Sequence, residues 1–122
     1  MPVFPLDIEY YITREGKKPF KAWLENIKDV ACRAKVRVAL DCARLGNLGD
    51  NSSVGEGVRE LRVDYGPGCR IYFAIDDRRL MLLLLGLRQS GEQRDIATAR
   101  GYWQDYKERK KTWLNPLPIK KT

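Results

Sequence analysis

The chain has 122 residues, 43% of them apolar and 32% charged, which is enough for one domain with a real core and too mixed in sign to stay disordered. Lys and Arg number 23 against 16 Asp and Glu, so the net charge of +7 points towards nucleic acid, an anionic membrane or an acidic partner. Histidine is absent, which excludes a Ser-His-Asp triad, a Cys-His dyad and His-ligated zinc.

Met1 to Asp7 shows neither the basic nor the apolar region of a signal peptide, so a cytoplasmic protein is expected. Ile8 to Ile12 are mostly β-branched or aromatic and predict a first strand, ended by Arg14-Glu15-Gly16. Pro19 suits the first residue of a helix, and Phe20, Trp23, Leu24 and Ile27 follow as one apolar stripe. Asp29 reads as the N-cap of a second helix. Its buried side is expected at Ala31, Ala34, Val38, Cys42 and Leu45, with Arg33, Arg37 and Arg44 largely elsewhere. Asn47 to Gly57 is rich in Gly, Asn and Ser and reads as a loop.

Leu61, Val63 and Tyr65 then alternate with polar residues, as do Cys69, Ile71, Phe73 and Ile75 after the turn Gly66-Pro67-Gly68. The apolar run Leu80 to Leu85 suits a strand covered on both faces and falls short of the roughly 18 residues of a membrane span. A last helix is expected from about Glu92 to Lys110, with Ile96, Ala99 and Trp103 inward. Cys32, Cys42 and Cys69 form no CxxC pair and read as small reduced thiols. The order predicts an α+β fold: an N-terminal strand, a two-helix hairpin packed on an antiparallel sheet of about four strands, and a C-terminal helix. One domain over 1–111 and a tail over 112–122 are expected.

A three-residue turn at 66–68 would set Tyr65, Val63 and Leu61 opposite Cys69, Ile71 and Phe73 on one face. Arg62 would then oppose Tyr72, and Asp64 would oppose Arg70, on an open face shared with Glu60. Guanidinium forks bind phosphate bidentately, and a tyrosine stacks on bases or moves a proton through its hydroxyl. RNA supplies its own 2′-OH nucleophile, so a site without histidine can cleave it. Ordinary cross-strand or surface ion pairs, Arg70–Asp64 and Arg62–Glu60, remain the alternative.

The stretch Val58-Arg59-Glu60-Leu61-Arg62-Val63-Asp64-Tyr65-Gly66-Pro67-Gly68-Cys69-Arg70-Ile71-Tyr72-Phe73 resembles the ELR-x-DYGPGYR-x-YF core of the RelE/ParE superfamily. The resemblance is to its HigB-like branch of addiction-module killer proteins. It extends to Lys18-Pro19-Phe20-x-x-Trp23-Leu24 upstream and Asp95-Ile96-x-x-Ala99-x-x-Tyr102-Trp103 downstream. It implies a RelE-like fold and a toxin neutralised by a helix-turn-helix antitoxin. It also implies metal-independent, cofactor-free cleavage of mRNA on the ribosome, with Arg62, Arg70 and Tyr72 as the catalytic residues. Gln89 stands where the family commonly has Lys, Glu92 where it has Gln, and Cys69 where it has Tyr; Arg88 and Gln89 are the RNA-binding candidates of this segment, with Arg88 in place of the missing cation. A ParE-like gyrase inhibitor and a non-cleaving relative share the same core. Arg33, Arg37 and Arg44 on the second helix read either as contacts to ribosomal RNA or as a solvated face. Lys110 and Lys111, with Trp113, read either as RNA-binding or as a soluble C-terminus.

Overall fold

The computed structural model, which describes residues 5–66, 68–88 and 93–114, places one five-stranded sheet between two helical layers. In chain order the elements are β1 (Asp7–Tyr10), α1 (Pro19–Glu25), α2 (Val30–Arg44), β2 (Asn51–Gly55), β3 (Val58–Val63), β4 (Cys69–Asp76), β5 (Leu80–Arg88) and α3 (Gln93–Leu114). The sheet runs β1-β5-β4-β3-β2, with β1 parallel to β5 and the other neighbours antiparallel. The α+β class and the C-terminal helix match the expectation, but the sheet is mixed and has a fifth strand. That strand, β2, lies inside the stretch read as a loop. As an edge strand with exposed Ser52 and Ser53 it needs no apolar alternation. The helix α3 passes the expected Lys110 and reaches Leu114, so the 112–122 tail begins as helix; 115–122 lie outside the described residues.

Pro19 opens α1 as expected, and Phe20 and Leu24 bury against the sheet. Asp29 caps α2 by accepting from the backbone N–H groups of Ala31 (3.0 Å) and Cys32 (3.1 Å). The buried side of α2 corrects the sequence reading, for it is Cys32, Val36, Leu40 and Ala43. Ala31, Ala34, Val38, Cys42 and Leu45 face solvent instead, Val38 at 58% and Leu45 at 73% exposure. Both stripes are apolar at helical spacing, so periodicity alone could not choose between them.

The β3–β4 pairing also differs from the expected register. Val63 lies opposite Cys69, Leu61 opposite Ile71, Arg62 opposite Arg70 and Glu60 opposite Tyr72. The connection spans 64–68, with Gly66 and Gly68 at positive φ (56° and 88°), rather than the three-residue turn assumed. A slip of two residues keeps every side chain on its assigned face, so the apolar face survives the error. Leu61, Val63, Cys69, Ile71 and Phe73 pack under α1 and α2.

The opposite face is not open. Ala99 and Trp103 of α3 bury there with Val58, Tyr72, Ala74, Leu82 and Leu84. Two carboxylates fasten this helix to the sheet layer. Asp105 accepts from the Tyr11 hydroxyl (2.6 Å), Arg14 (2.6 Å) and Arg109 (2.9 Å). Asp76 at the end of β4 accepts from the Tyr106 hydroxyl (2.9 Å) and Lys110 (2.7 Å). Burial first, and then these carboxylate partners, push the Tyr11 and Tyr106 hydroxyls well above their ordinary range. Because the folded values exceed the unfolded one, stability is fully present below about pH 10 and is lost as pH rises beyond it. Urea denaturation between pH 8 and 11.5 is expected to show a loss of roughly 1.4 kcal/mol per pH unit for each raised tyrosine above pH 10. A flat profile would show that these hydroxyls are neither buried nor held by the carboxylates as described.

Gly86 of β5 sits under the Trp23 ring, where an added Cβ would run into the indole. Gly86→Ala is therefore expected to destabilise the protein by about 1–3 kcal/mol through overpacking. Thermal unfolding measures this, and a melting temperature equal to wild type would mean that Trp23 does not rest on the strand.

Candidate functional site

Residues 58–62 of β3 and 70–74 of β4 present alternate side chains to the α3 side of the sheet. The register makes Arg62–Arg70 and Glu60–Tyr72 successive cross-strand pairs on that side. The four side chains meet at the Glu60 carboxylate, which is 7% exposed. Its Oε1 accepts from Arg70 Nη1 and from Arg62 Nε (3.4 Å), and its Oε2 accepts from the Tyr72 hydroxyl (3.0 Å). The sequence brought Arg62, Arg70 and Tyr72 together correctly but missed Glu60 as their hub. The signal was present, because Glu60 alternates with Arg62 on the face of Arg70 and Tyr72.

Tyr72 is 0% exposed and covered by the α3 layer, so the expected base-stacking tyrosine on an open face is corrected. Burial, then the Glu60 hydrogen bond and charge, push its hydroxyl up to about 12, with Arg70 acting the other way. The hydroxyl is thus protonated at neutral pH and donates to Glu60. The Arg62 side chain is 55% exposed and that of Arg70 23%, so the cationic end of the cluster faces solvent. Beside it lies a concavity of about 320 Å³ lined by Asp50, Arg62, Asp64, Gly66, Gly68 and Arg70, among others. Its size is near the lower limit for a small-ligand pocket. Two guanidinium groups stand here against Glu60 and the lining Asp50 and Asp64, so the concavity has no net positive charge, and only the guanidinium forks themselves suit a phosphate.

The other sequence candidates do not converge here. Arg88 pairs with Cys69, on the opposite side of the sheet from Arg70, and lines a concavity with Trp23, Asn26, Lys28 and Asp29. Gln89 lies outside the described residues. Arg33 donates to the Ile27 carbonyl (3.3 Å), Arg44 pairs with Asp41 (2.9 Å), and Arg37 is exposed; all three are on α2, in the other helical layer. Lys110 is held by Asp76, whereas Lys111 is exposed in the last turn of α3. No group of three or more potential metal ligands occurs among the described residues, and no helix there is long and apolar enough to cross a membrane.

Fold and cluster together define a small basic α+β domain with a paired-arginine site beside a buried carboxylate and tyrosine. An uncharacterized protein of Haemophilus influenzae is 36% identical over 81 residues, which span 66% of this chain and 82% of that protein. The chain belongs to the same family as this Haemophilus protein. No protein-family profile matches the sequence.

Proposed function

We propose that the protein is the toxin of a type II toxin–antitoxin pair, a RelE-like endoribonuclease of the HigB branch that cleaves mRNA on the ribosome in the cytoplasm. The observation that carries this reading is the Arg62–Arg70 cross-strand pair, joined by the Asp64-Tyr65-Gly66-Pro67-Gly68 connection and backed by Glu60 and Tyr72. Arg62, the more exposed cation, grips the scissile phosphate. Arg70, oriented by Glu60, stabilises the charge that grows as the 2′-OH attacks. Positioning and electrostatics then carry the barrier reduction, and no histidine is required. Tyr72 acts as a positioning residue through its hydrogen bond to Glu60. Arg37 and Lys111 are available to ribosomal RNA phosphates, whereas Arg33 is engaged by the Ile27 carbonyl, Arg44 by Asp41 and Lys110 by Asp76.

The partner is a helix-turn-helix antitoxin. The solvent-facing stripe of α2, with Val38 and Leu45 at its centre and Lys35, Arg37 and Arg44 at its margins, fits an acidic amphipathic helix. One observation favours a second reading. Glu60 already occupies both guanidinium groups, as expected of a relative that binds antitoxin or RNA without cleaving.

Induced expression without antitoxin, followed by primer extension on abundant host mRNAs, tests the proposal. New 5′ ends within codons, absent for Arg62→Ala and for Arg70→Lys, would establish the endonuclease. Growth arrest with intact mRNA would turn attention to a gyrase-directed, ParE-like activity, and no arrest would favour the non-cleaving relative.

A further inference from the structure

Cys32 in the first turn of α2 and Cys69 at the start of β4 are both buried, and their sulfurs stand 3.1 Å apart. The two residues come from different layers, and each is held by its surroundings. Asp29 accepts the Cys32 backbone N–H (3.1 Å) and also the Tyr65 hydroxyl (3.4 Å), tying the start of α2 to the connection that leads into Cys69. The third cysteine, Cys42, is exposed on the outer side of α2 and takes no part in this contact. A covalent bond would require the two buried sulfurs to close by only about 1 Å.

We propose that Cys32 and Cys69 form a redox-active dithiol, oxidised by a small disulfide to an intramolecular bond that fastens the β3–β4 connection to α2. In the first step the Cys69 thiolate attacks one sulfur of the small disulfide and releases one small thiol, leaving a mixed disulfide on Cys69. The Cys32 thiolate then attacks the Cys69 sulfur, forming the Sγ–Sγ bond and releasing the second small thiol. The two protons of the protein thiols end on the released thiols, and the two electrons reduce the oxidant.

Cys69 is the first to react because it directly follows Gly68 at the rim of the concavity, although its own side chain is buried. Burial pushes its thiol up to about 12, the neighbouring Cys32 adds to this, and the Arg88 guanidinium acts the other way. Exchange in the closed fold is therefore slow. The same burial shields the bond once it has formed.

The test uses the full chain in buffers of graded reduced and oxidised glutathione, both folded and during refolding from urea, followed by alkylation and trypsin. Trypsin leaves the three cysteines in separate peptides, 29–33, 38–44 and 63–70. Peptides 29–33 and 63–70 are expected to appear joined, with Cys42 outside the link. The melting temperature of the oxidised protein is expected to rise by roughly 10 °C, reversibly with dithiothreitol. Neither change should occur in Cys32→Ala or Cys69→Ala. Both thiols still free after refolding in oxidised glutathione would overturn the proposal. So would a link through Cys42, or glutathione left on Cys69 without transfer to Cys32.

Discussion

Glu60→Ala is expected to destabilise the protein by about 3 kcal/mol, at the lower end of the cost of breaking a buried ion pair by removing one partner. The lower end applies because Arg62 and Arg70 are partly exposed and can turn their charge to water. The Tyr72 hydroxyl cannot, since it is fully buried, and a buried donor left without an acceptor costs about 1–3 kcal/mol by itself. A comparison separates these contributions. Glu60→Gln keeps an acceptor for Tyr72 while removing the charge, so it should recover a large part of the loss. Glu60→Leu combined with Tyr72→Phe removes both ends of the buried hydrogen bond and should fall well short of the sum of the single losses. Urea denaturation measures these variants together with wild type and the single changes Glu60→Leu and Tyr72→Phe. A loss under about 1 kcal/mol for Glu60→Ala would mean that the carboxylate is solvated rather than the hub of the cluster.

What the sequence disclosed and what it hid divide along the range of the interactions. Alternation of apolar and polar residues in β3 and β4 is local, and it assigned Leu61, Val63, Ile71 and Phe73 to one face and Arg62, Arg70 and Tyr72 to the other. Register depends on the geometry of the connection, which was read too short. The error of two residues preserved the faces but paired Arg62 with the wrong neighbour. On α2 the stripe through Ala31, Ala34, Val38, Cys42 and Leu45 was as regular as the buried one through Cys32, Val36, Leu40 and Ala43. Only the sheet beneath decides between them. The parallel pairing of β1 with β5 and the covering of Tyr72 by α3 join distant parts of the chain, and no local pattern carries them. The place of Glu60 on that face was legible, but its burial was not, for a different reason. A glutamate in an alternating strand ordinarily faces water, and its burial follows from the helix placed over it.

Arg62→Ala is expected to lower ribosome-dependent mRNA cleavage by about 10²–10³-fold, the effect of removing one preorganised charge contact from a transition state. Its half-exposed side chain makes only a long contact with Glu60 (3.4 Å), so stability should change by no more than about 0.5 kcal/mol. Arg70→Ala should reduce cleavage at least as much, but it also strips Glu60 of its closer cation and so mixes a folding defect with a catalytic one. Arg70→Lys separates the two. An ammonium restores a charge near Glu60 but not the planar fork that spans carboxylate and phosphate together. Stability should therefore return while cleavage stays low. Primer extension on ribosome-bound mRNA reads the cleavage, and thermal unfolding of the same proteins reads the fold. If Arg62→Ala and Arg70→Lys both cleaved at the wild-type rate, the paired arginines would be structural. The cluster would then be an ion-pair network that holds β3 to β4 beneath α3, and the cleavage site would have to be sought elsewhere on the protein.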